Sequence, residues 1–564
     1  MPTIELNRKD LESLLGIHLH GDVEKINEIL AYVKGEVKGI DGEEIRIELG
    51  DSNRADIWSV EGLARALRGF LGLERGLKEY KAEGISGVEV YVNPKLRNIR
   101  PYIGCAVVKG VKLSDAAIRQ IMRFQDKMDQ TYGRNRRRTS IGLYEFDLVK
   151  PPLHFTVAKP KEVSFVPLEF DERMTLEEIL EKHPKGKEYG HIVRQFESWP
   201  IFMDSENQVL SFPPIINSND LGRITEETRN VLIEVTGTSY ETVLDTLTNV
   251  TVSLADRGGT ICSTTIHYPY SDISDDETPH LSVDTFDLEV SFLQKTIGLK
   301  LNASEIKSLL EKARYGVADF SERKITVKVP CYRVDVLHPI DIIEDIAIAY
   351  DYNRIPPEWP QLATVGGLSG ETSFRDLVRE IMIGLGFQEV LTYIMSNPET
   401  LFLKMNLKPS RVVELANPKI TSMTCLRNWL LPSLMELLSH NIHVDYPQRI
   451  FEVGYCVIHD EKQENKTRDI EKLACVNIHS NASFTEAKSQ LDALLSNLGI
   501  KYHLEETRHE SFIDGRAGKI LLGKDEAGII GEIHPQVLQN WGLENPATAF
   551  EISMDQLRMF LKYE

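Results

Sequence analysis

One stretch, YRVDVLHPIDIIEDIAIAYDYNRIP at positions 332–356, constrains the fold more than any other. At about 100° per residue, Ile343, Ile346, Ala347 and Tyr350 share one helix face, and Asp341, Glu344 and Asp345 share the opposite one. A helix patterned this way must bury its apolar side against other elements. Pro339 stands where the helix begins, a place that tolerates proline because the first N–H has no intrahelical partner. Asp335, just upstream, is placed to fold back over the carboxylate face.

Carboxylates at 335, 341, 344 and 345 repel one another unless they are solvated or bridged by a cation. Their all-oxygen chemistry suits Mg²⁺, which takes one or two direct carboxylates and keeps several waters. A plainer reading is also open: acidic side chains in a first helical turn complement the helix dipole. Spacing alone does not separate the two.

With 564 residues, the chain has room for three to five domains at about 100–200 residues each. Composition, at 42% hydrophobic and 27% charged, is that of an ordinary globular protein. No apolar run is long enough for a membrane span. The polar opening MPTIELNRKDLESLLG does not read as a signal peptide, so a cytosolic location is expected. The net charge of −20 opposes nucleic acid at long range, so RNA contacts would be local or supplied by a basic partner.

The six cysteines, at 105, 262, 331, 425, 456 and 475, form no CxxC pair and read as buried thiols. His18/His20 and His440/His443 lack further ligands and read as solvent-facing or core side chains. No P-loop, Rossmann fingerprint, nucleophile triad or internal repeat stands out.

Along the chain, LNRKDLESLLG reads as a helix with Leu11, Leu14 and Leu15 on one face. GVEVYV alternates as a strand, and SDAAIRQIMRFQDKMDQTY reads as a helix. PIFMD and QVLSF pair as a hairpin around Ser205–Asn207. In VLIEVTGT, Glu234 and Thr236 share one strand face, while Ile233, Val235 and Gly237 share the other. The acidic SDISDDETP is expected to mark a boundary, followed by helices at FDLEVSFLQKTIG and ASEIKSLLEKARYG and a strand at KITVKVP. IPPEWPQLATVGGLSGE reads as a linker. The organisation expected is 1–85, a small α/β domain; 86–270, mixed α/β; 271–360, small and helical; and 361–564, a C-terminal α+β domain.

The string YRxDVxHxxDIIEDIAxxYxYxxIP resembles the signature of a small domain in phenylalanyl-tRNA synthetase beta subunits of the archaeal and eukaryotic kind. The resemblance implies that Asp335, Asp341, Glu344 and Asp345 are associated with Mg²⁺ at the boundary with an alpha subunit. It also implies a DNA-binding-like helical fold for the small domain, which does not by itself mean DNA binding.

Upstream, WPIFMDSENQVLSFPPIINSND and RITEETRNVLIEVTGTSYETVLDTLTNV are similar to the family's editing domain. That similarity places Phe202, Ser211, Asn217, Glu234 and Thr236 around a pocket that hydrolyses mischarged Tyr-tRNA. A hydrophobic activation site rejects an added hydroxyl only about a hundredfold, so a second site that hydrogen-bonds the phenol has a physical purpose. Glu234 is expected to accept from the phenol, with Ser211 and Thr236 helping to position water and ester. On pattern alone, Glu234 and Thr236 read as an exposed polar strand face.

From SFRDLVREIMIGLGF onward the chain resembles a class II synthetase core, antiparallel and catalytically inactive. Arg427, in LRNWLLP, lacks the later Gly-rich arginine motif that an active core would carry, and GLGF reads as a helix end before a strand. The implied assembly is two alpha and two beta subunits that join phenylalanine to tRNA(Phe) with ATP and Mg²⁺. The synthetic site and the anticodon contacts would then lie on alpha. Arg134, Arg136, Arg137 and Arg138 are read either as a solvated loop or as a grip on tRNA phosphates. Two other classes stay in view: a non-enzymatic nucleic-acid-binding scaffold, and a partner-independent Mg²⁺ hydrolase using the 335–345 carboxylates.

Overall fold

The computed structural model describes residues 2–19, 22–51, 53–361 and 364–561. Two compact units account for it, Met1–Glu358 and Trp359–Glu564, which divide within the Pro/Gly-rich linker.

The first unit is organised around a ten-stranded sheet. Its strands are β1 (Gly84–Val92), β2 (Tyr102–Lys109), β3 (Thr139–Glu145), β4 (Leu153–Ala158) and β5 (Trp199–Met203). They continue with β6 (Val209–Phe212), β7 (Ile216–Asn217), β8 (Asn230–Gly237), β9 (Thr260–His267) and β10 (Asp276–Thr278). The order is β7-β6-β5-β4-β1-β9-β2-β8-β3, with β10 on β9. β1 runs parallel to β4 and β9, whereas the remaining pairs are antiparallel.

β8 is paired on both sides and buried nearly throughout, so the face carrying Glu234 and Thr236 is interior rather than exposed. The opposite face, with Val231, Ile233 and Val235, packs on helix α2 (Tyr240–Ala255) and on α1 (Asp115–Gln130). Helix α1 starts where the Ser114 side chain accepts from Ala117 N–H, and it buries Ala117, Ile121, Phe124 and Met128 at helical spacing. The hairpin β5–β6 forms as its pattern requires, with Asn207 in the left-handed region at φ 61°. Before this sheet, Thr3–Asn7, Gly35–Asp41 and Glu44–Leu49 make a separate three-stranded sheet.

SDISDDETP does not separate domains. Its Asp276–Thr278 pairs as β10, and Thr278 is buried, its hydroxyl accepting from Cys105 N–H. The following region, expected to hold one strand among its helices, holds three. β11 (Asp284–Glu289), β12 (Gly316–Phe320) and β13 (Lys324–Val329) form a sheet in the order β11-β13-β12. It packs with α3 (Val290–Ile297), α4 (Ala303–Lys312) and α5 (Pro339–Tyr350). FDLE is therefore strand: Leu288 points into the core while its neighbours face out, a period of two hidden inside an apparently helical run.

The second unit holds a seven-stranded sheet, β14 (Gln388–Glu389), β15 (Gln448–His459), β16 (Thr467–Ile478), β17 (His503–Glu506), β18 (Phe512–Leu522), β19 (Asp525–Ile533) and β20 (Ala547–Ser553). Its order is β14-β15-β16-β20-β19-β18-β17, antiparallel apart from β14 on β15. α6 (Gly370–Gly384) and α7 (Phe484–Asn497) cover one face through Phe374, Val378, Leu491 and Leu494. GLGF ends α6, with Gly386 at φ 85° leading into β14. No described helix is long and apolar enough to cross a membrane.

Candidate functional site

β8 sits between β2 and β3, and its register places Glu234 opposite Gly142 and Thr236 opposite Ser140. Gly142 leaves the room that Glu234 needs. A Cβ there would overlap the Tyr144 hydroxyl and lie 2.5 Å from Glu234 Oε2. Tyr144 Oη donates to that same oxygen at 2.6 Å, and Ser211 Oγ approaches it at 3.4 Å. Burial pushes the Glu234 carboxyl above its ordinary range, while the Tyr144 hydrogen bond and the Arg100 charge pull it back.

Glu234, Ser211 and Asn217 line one cavity of about 200 Å³, with Ser140, Leu143 and Arg136 also in its wall. An apolar cavity of about 150 Å³ holds a benzene ring, so the space suits one aromatic side chain. Asn217 pairs in register with Ser211, and its Nδ2 donates to Leu143 O at 3.3 Å.

The other two expected residues stand behind this wall. Phe202 is fully buried against Phe155 and Tyr144, where it supports the sheet. Thr236 is also fully buried, and its Oγ1 accepts from Arg100 Nε at 2.9 Å. Arg100 further donates to Thr236 O at 2.7 Å, to Ser140 Oγ at 3.0 Å and to Arg136 O at 3.1 Å. Burial brings this guanidinium down to about 10, which leaves it charged at neutral pH.

Sequence reasoning missed Tyr144, Gly142 and Arg100. Tyr144, Gly142 and Ser140 alternate along SIGLYEFD, so pairing that strand with VLIEVTGT would have put them beside Glu234.

The arginine run divides. Arg136 is buried: its guanidinium donates to Pro214 O and Ile215 O, meets Asp129 at 2.9 Å and lies over Tyr189. Arg134 and Arg137 are exposed, and Arg138 is half-buried beside Ser239.

The four acidic residues of the small domain do not converge as an ion shell. Arg333 Nη2 bridges Asp335 and Asp345 at 2.7 Å each, and the Tyr315 hydroxyl also donates to Asp345. Asp341 accepts from the N–H groups of Leu337 and His338, and Glu344 faces Lys34 at 2.6 Å. The guanidinium stands where a cation would be needed and draws Asp345 inward, away from exposed Glu344. Among the described residues no three His, Cys, Asp or Glu side chains gather to hold a metal. His20 lies outside the described residues. All six cysteines are free thiols.

In the second unit Arg427 is enclosed by its own chain. It donates to Glu452 at 2.7 Å, Thr392 Oγ1 at 2.6 Å and Tyr455 O at 3.0 Å.

Comparison with known proteins gives the class first. Residues 286–352 match the tRNA synthetase B5 domain, a module named for the aminoacyl-tRNA synthetases. Residues 355–554 match the phenylalanyl tRNA synthetase beta chain CLM domain. The curated phenylalanine–tRNA ligase beta subunit of Pyrococcus furiosus is 47% identical over 561 residues, spanning 99% of this chain and 100% of the relative. That of Methanocaldococcus jannaschii is 41% identical over 98% of this chain and 100% of its own length. A crystal structure of an N-terminal fragment of the phenylalanyl-tRNA synthetase beta subunit from Pyrococcus horikoshii superposes with a TM-score of 0.59 at 41% identity. That match covers 62% of this chain and all of the fragment. The chain belongs to the phenylalanine–tRNA ligase beta subunit family.

Proposed function

We propose that this chain joins a catalytic alpha subunit, two of each, in a cytoplasmic enzyme that attaches phenylalanine to tRNA(Phe) with ATP. Within it, the β8 cavity hydrolyses tyrosine mischarged onto that tRNA. The observation that carries the editing role is the buried Glu234 carboxylate at the wall of a cavity sized for one aromatic ring. A phenol entering there meets a carboxylate acceptor that phenylalanine has no hydroxyl to use, so the hydrogen bond is gained by only one of the two substrates. Ser211 and Asn217 offer a hydroxyl and an amide along the same wall for the ester and an attacking water.

The second unit supports a scaffold role. Arg427 is buried, and each of its three guanidinium nitrogens already donates within its own chain, to Glu452, Thr392 and Tyr455. Leu391 and Tyr393 are 79% and 76% exposed, near exposed Ile394 and Met395, an apolar surface of the kind that meets a partner subunit. The Mg²⁺ that ATP chemistry requires accompanies the nucleotide's phosphates on alpha. Asp335 and Asp345 would take part only if Arg333 released them.

The test combines two assays on the assembled enzyme. Wild type should release tyrosine from Tyr-tRNA and Glu234→Ala should not, with phenylalanine-dependent ATP–pyrophosphate exchange requiring alpha in both. Equal tyrosine release by the two would remove Glu234 from editing, and exchange by this chain alone would overturn the scaffold role.

A further inference from the structure

The strand Thr3–Asn7 is an edge of its three-stranded sheet and pairs only with Glu44–Leu49. In an antiparallel ladder, alternate residues turn their backbone groups to opposite sides. On the unpaired side, Asn7 N–H donates to Gln120 Oε1 at 2.9 Å and Glu5 O accepts from Arg123 at 3.3 Å. Both partners stand on α1, so the helix runs along the open edge of the strand. The Glu5 N–H opens on the same side by alternation.

Strand and helix together enclose a cavity of about 300 Å³, within the range of small-molecule sites. Its apolar wall is made by Ile4, Leu6, Trp58 and Val60, all buried. The polar wall comes from α1 and carries Gln120, Arg123 and Lys127.

Two groups in these walls have no counterpart in the chain. The indole N–H of Trp58 is buried, and among the described residues it meets no acceptor. An indole can only donate, and a buried donor left unpaired is costly. Lys127 is half-buried, and among the described residues its ammonium has no carboxylate partner. The neighbouring polar groups are committed: Arg123 pairs with Glu44 at 2.7 Å and Glu5 at 3.5 Å, and Gln120 also donates to Asp10.

A free N–H donor and a free cation beside an apolar wall define a ligand with an acceptor, a negative charge and a hydrocarbon body. One carboxylate supplies the first two together. A phosphate, with its greater charge, fits less well, because exposed Glu5 and Asp126 also border the cavity and repel further negative charge.

We propose that this cavity binds a small organic acid, its carboxylate on Trp58 Nε1 and Lys127 and its apolar body against Leu6, Val60 and the Trp58 ring. The acid is either a free amino acid, whose ammonium would meet Glu5 or Asp126, or a simple acid without an amine. The proposal is independent of the editing reading.

The experiment is titration calorimetry on the assembled enzyme with 3-phenylpropanoate, L-phenylalanine, phenethylamine and inorganic phosphate as probes. Wild type is compared with Trp58→Phe, which keeps a ring and loses the N–H, and with Lys127→Gln. A third variant, Gln130→Trp, fills the cavity from an exposed position in its wall. The two surface variants decide the matter even if Trp58→Phe folds poorly, and phenylalanine-dependent exchange should persist in both. 3-Phenylpropanoate should bind one site per copy of this chain, at least tenfold more weakly in Trp58→Phe and Lys127→Gln, and not at all in Gln130→Trp. L-Phenylalanine showing the same variant-sensitive site would identify the ligand as an amino acid. Binding of 3-phenylpropanoate alone would identify an amine-free acid. If neither carboxylate shows a site sensitive to these variants, the proposal is overturned. Phenethylamine binding the site equally well, or phosphate displacing the acid from it, would overturn it too.

Discussion

Tyr144 Oη donates to Glu234 Oε2 at 2.6 Å, so the carboxylate facing the cavity is already held by a phenol of the chain itself. Burial raises the Glu234 carboxyl and the Tyr144 hydrogen bond lowers it again. Removing the donor leaves burial less opposed, and the folded-state pKa rises further. If Glu234 must be ionised to accept a substrate hydroxyl, Tyr144→Phe should move the acid limb of the editing profile to higher pH and cut kcat/KM at neutral pH about tenfold. A pH–rate profile of Tyr-tRNA hydrolysis checks this. An acid limb in the wild-type position would show that Tyr144 merely fills space.

Gly142 tests the same geometry from the neighbouring strand. The Cβ of Gly142→Ala would overlap the Tyr144 hydroxyl and crowd Glu234 Oε2, and both side chains are buried. The expected outcome is about 1–3 kcal/mol of lost stability from overpacking, with editing reduced at least a hundredfold while phenylalanine-dependent exchange by the assembled enzyme persists. Chemical denaturation and Tyr-tRNA hydrolysis on the same preparation measure the two effects. Wild-type editing in a folded Gly142→Ala protein would show that the carboxylate position is not critical.

The site was partly legible in the sequence, for a physical reason. Alternation in VLIEVTGT put Glu234 and Thr236 on one face, and the structure keeps them there. Alternation cannot say which strands flank β8, so burial of that face and the arrival of Tyr144 and Arg100 were hidden. The acidic helix shows the same limit. Its period and its Pro339 start were readable, but Arg333 between Asp335 and Asp345 was not, because pairing across a turn leaves no periodic trace. In the small domain, FDLE alternates over too few residues to outweigh the helical pattern that follows.

Asp129 carries a prediction about stability. It is buried at the end of α1, and burial outweighs the Arg136 charge 2.9 Å away, pushing its carboxyl up to about 7. A carboxyl raised in the folded state favours folding fully below its unfolded pKa near 4, and that contribution is lost as pH rises from about 4 to about 7. Asp129→Asn removes this loss. Between pH 4 and pH 7.5, the unfolding free energy of the variant relative to wild type should therefore shift in its favour by about 2–4 kcal/mol. Urea titrations at the two pH values measure the shift. A difference independent of pH would mean that Asp129 ionises normally in the folded protein.

Arg427 separates a structural arginine from a nucleotide ligand. Its side chain and that of Glu452 are 3% and 1% exposed, and they meet at 2.7 Å. Removing one partner of such a pair strands a buried charge, at a cost of about 3–5 kcal/mol. In Arg427→Met the melting temperature of the second unit should therefore fall by roughly 6–20 °C, at about 2–4 °C per kcal/mol for a domain of this size. Changing Glu452 to Gln in the same chain should recover part of that loss, because no carboxylate is then left unpaired. Phenylalanine-dependent exchange by the assembled enzyme, measured below the lowered transition, should match wild type within about twofold, since Arg427 is enclosed by Glu452, Thr392 and Tyr455. A loss of a hundredfold or more in protein that is demonstrably folded and bound to alpha would instead make Arg427 a phosphate ligand, and the second unit an active core.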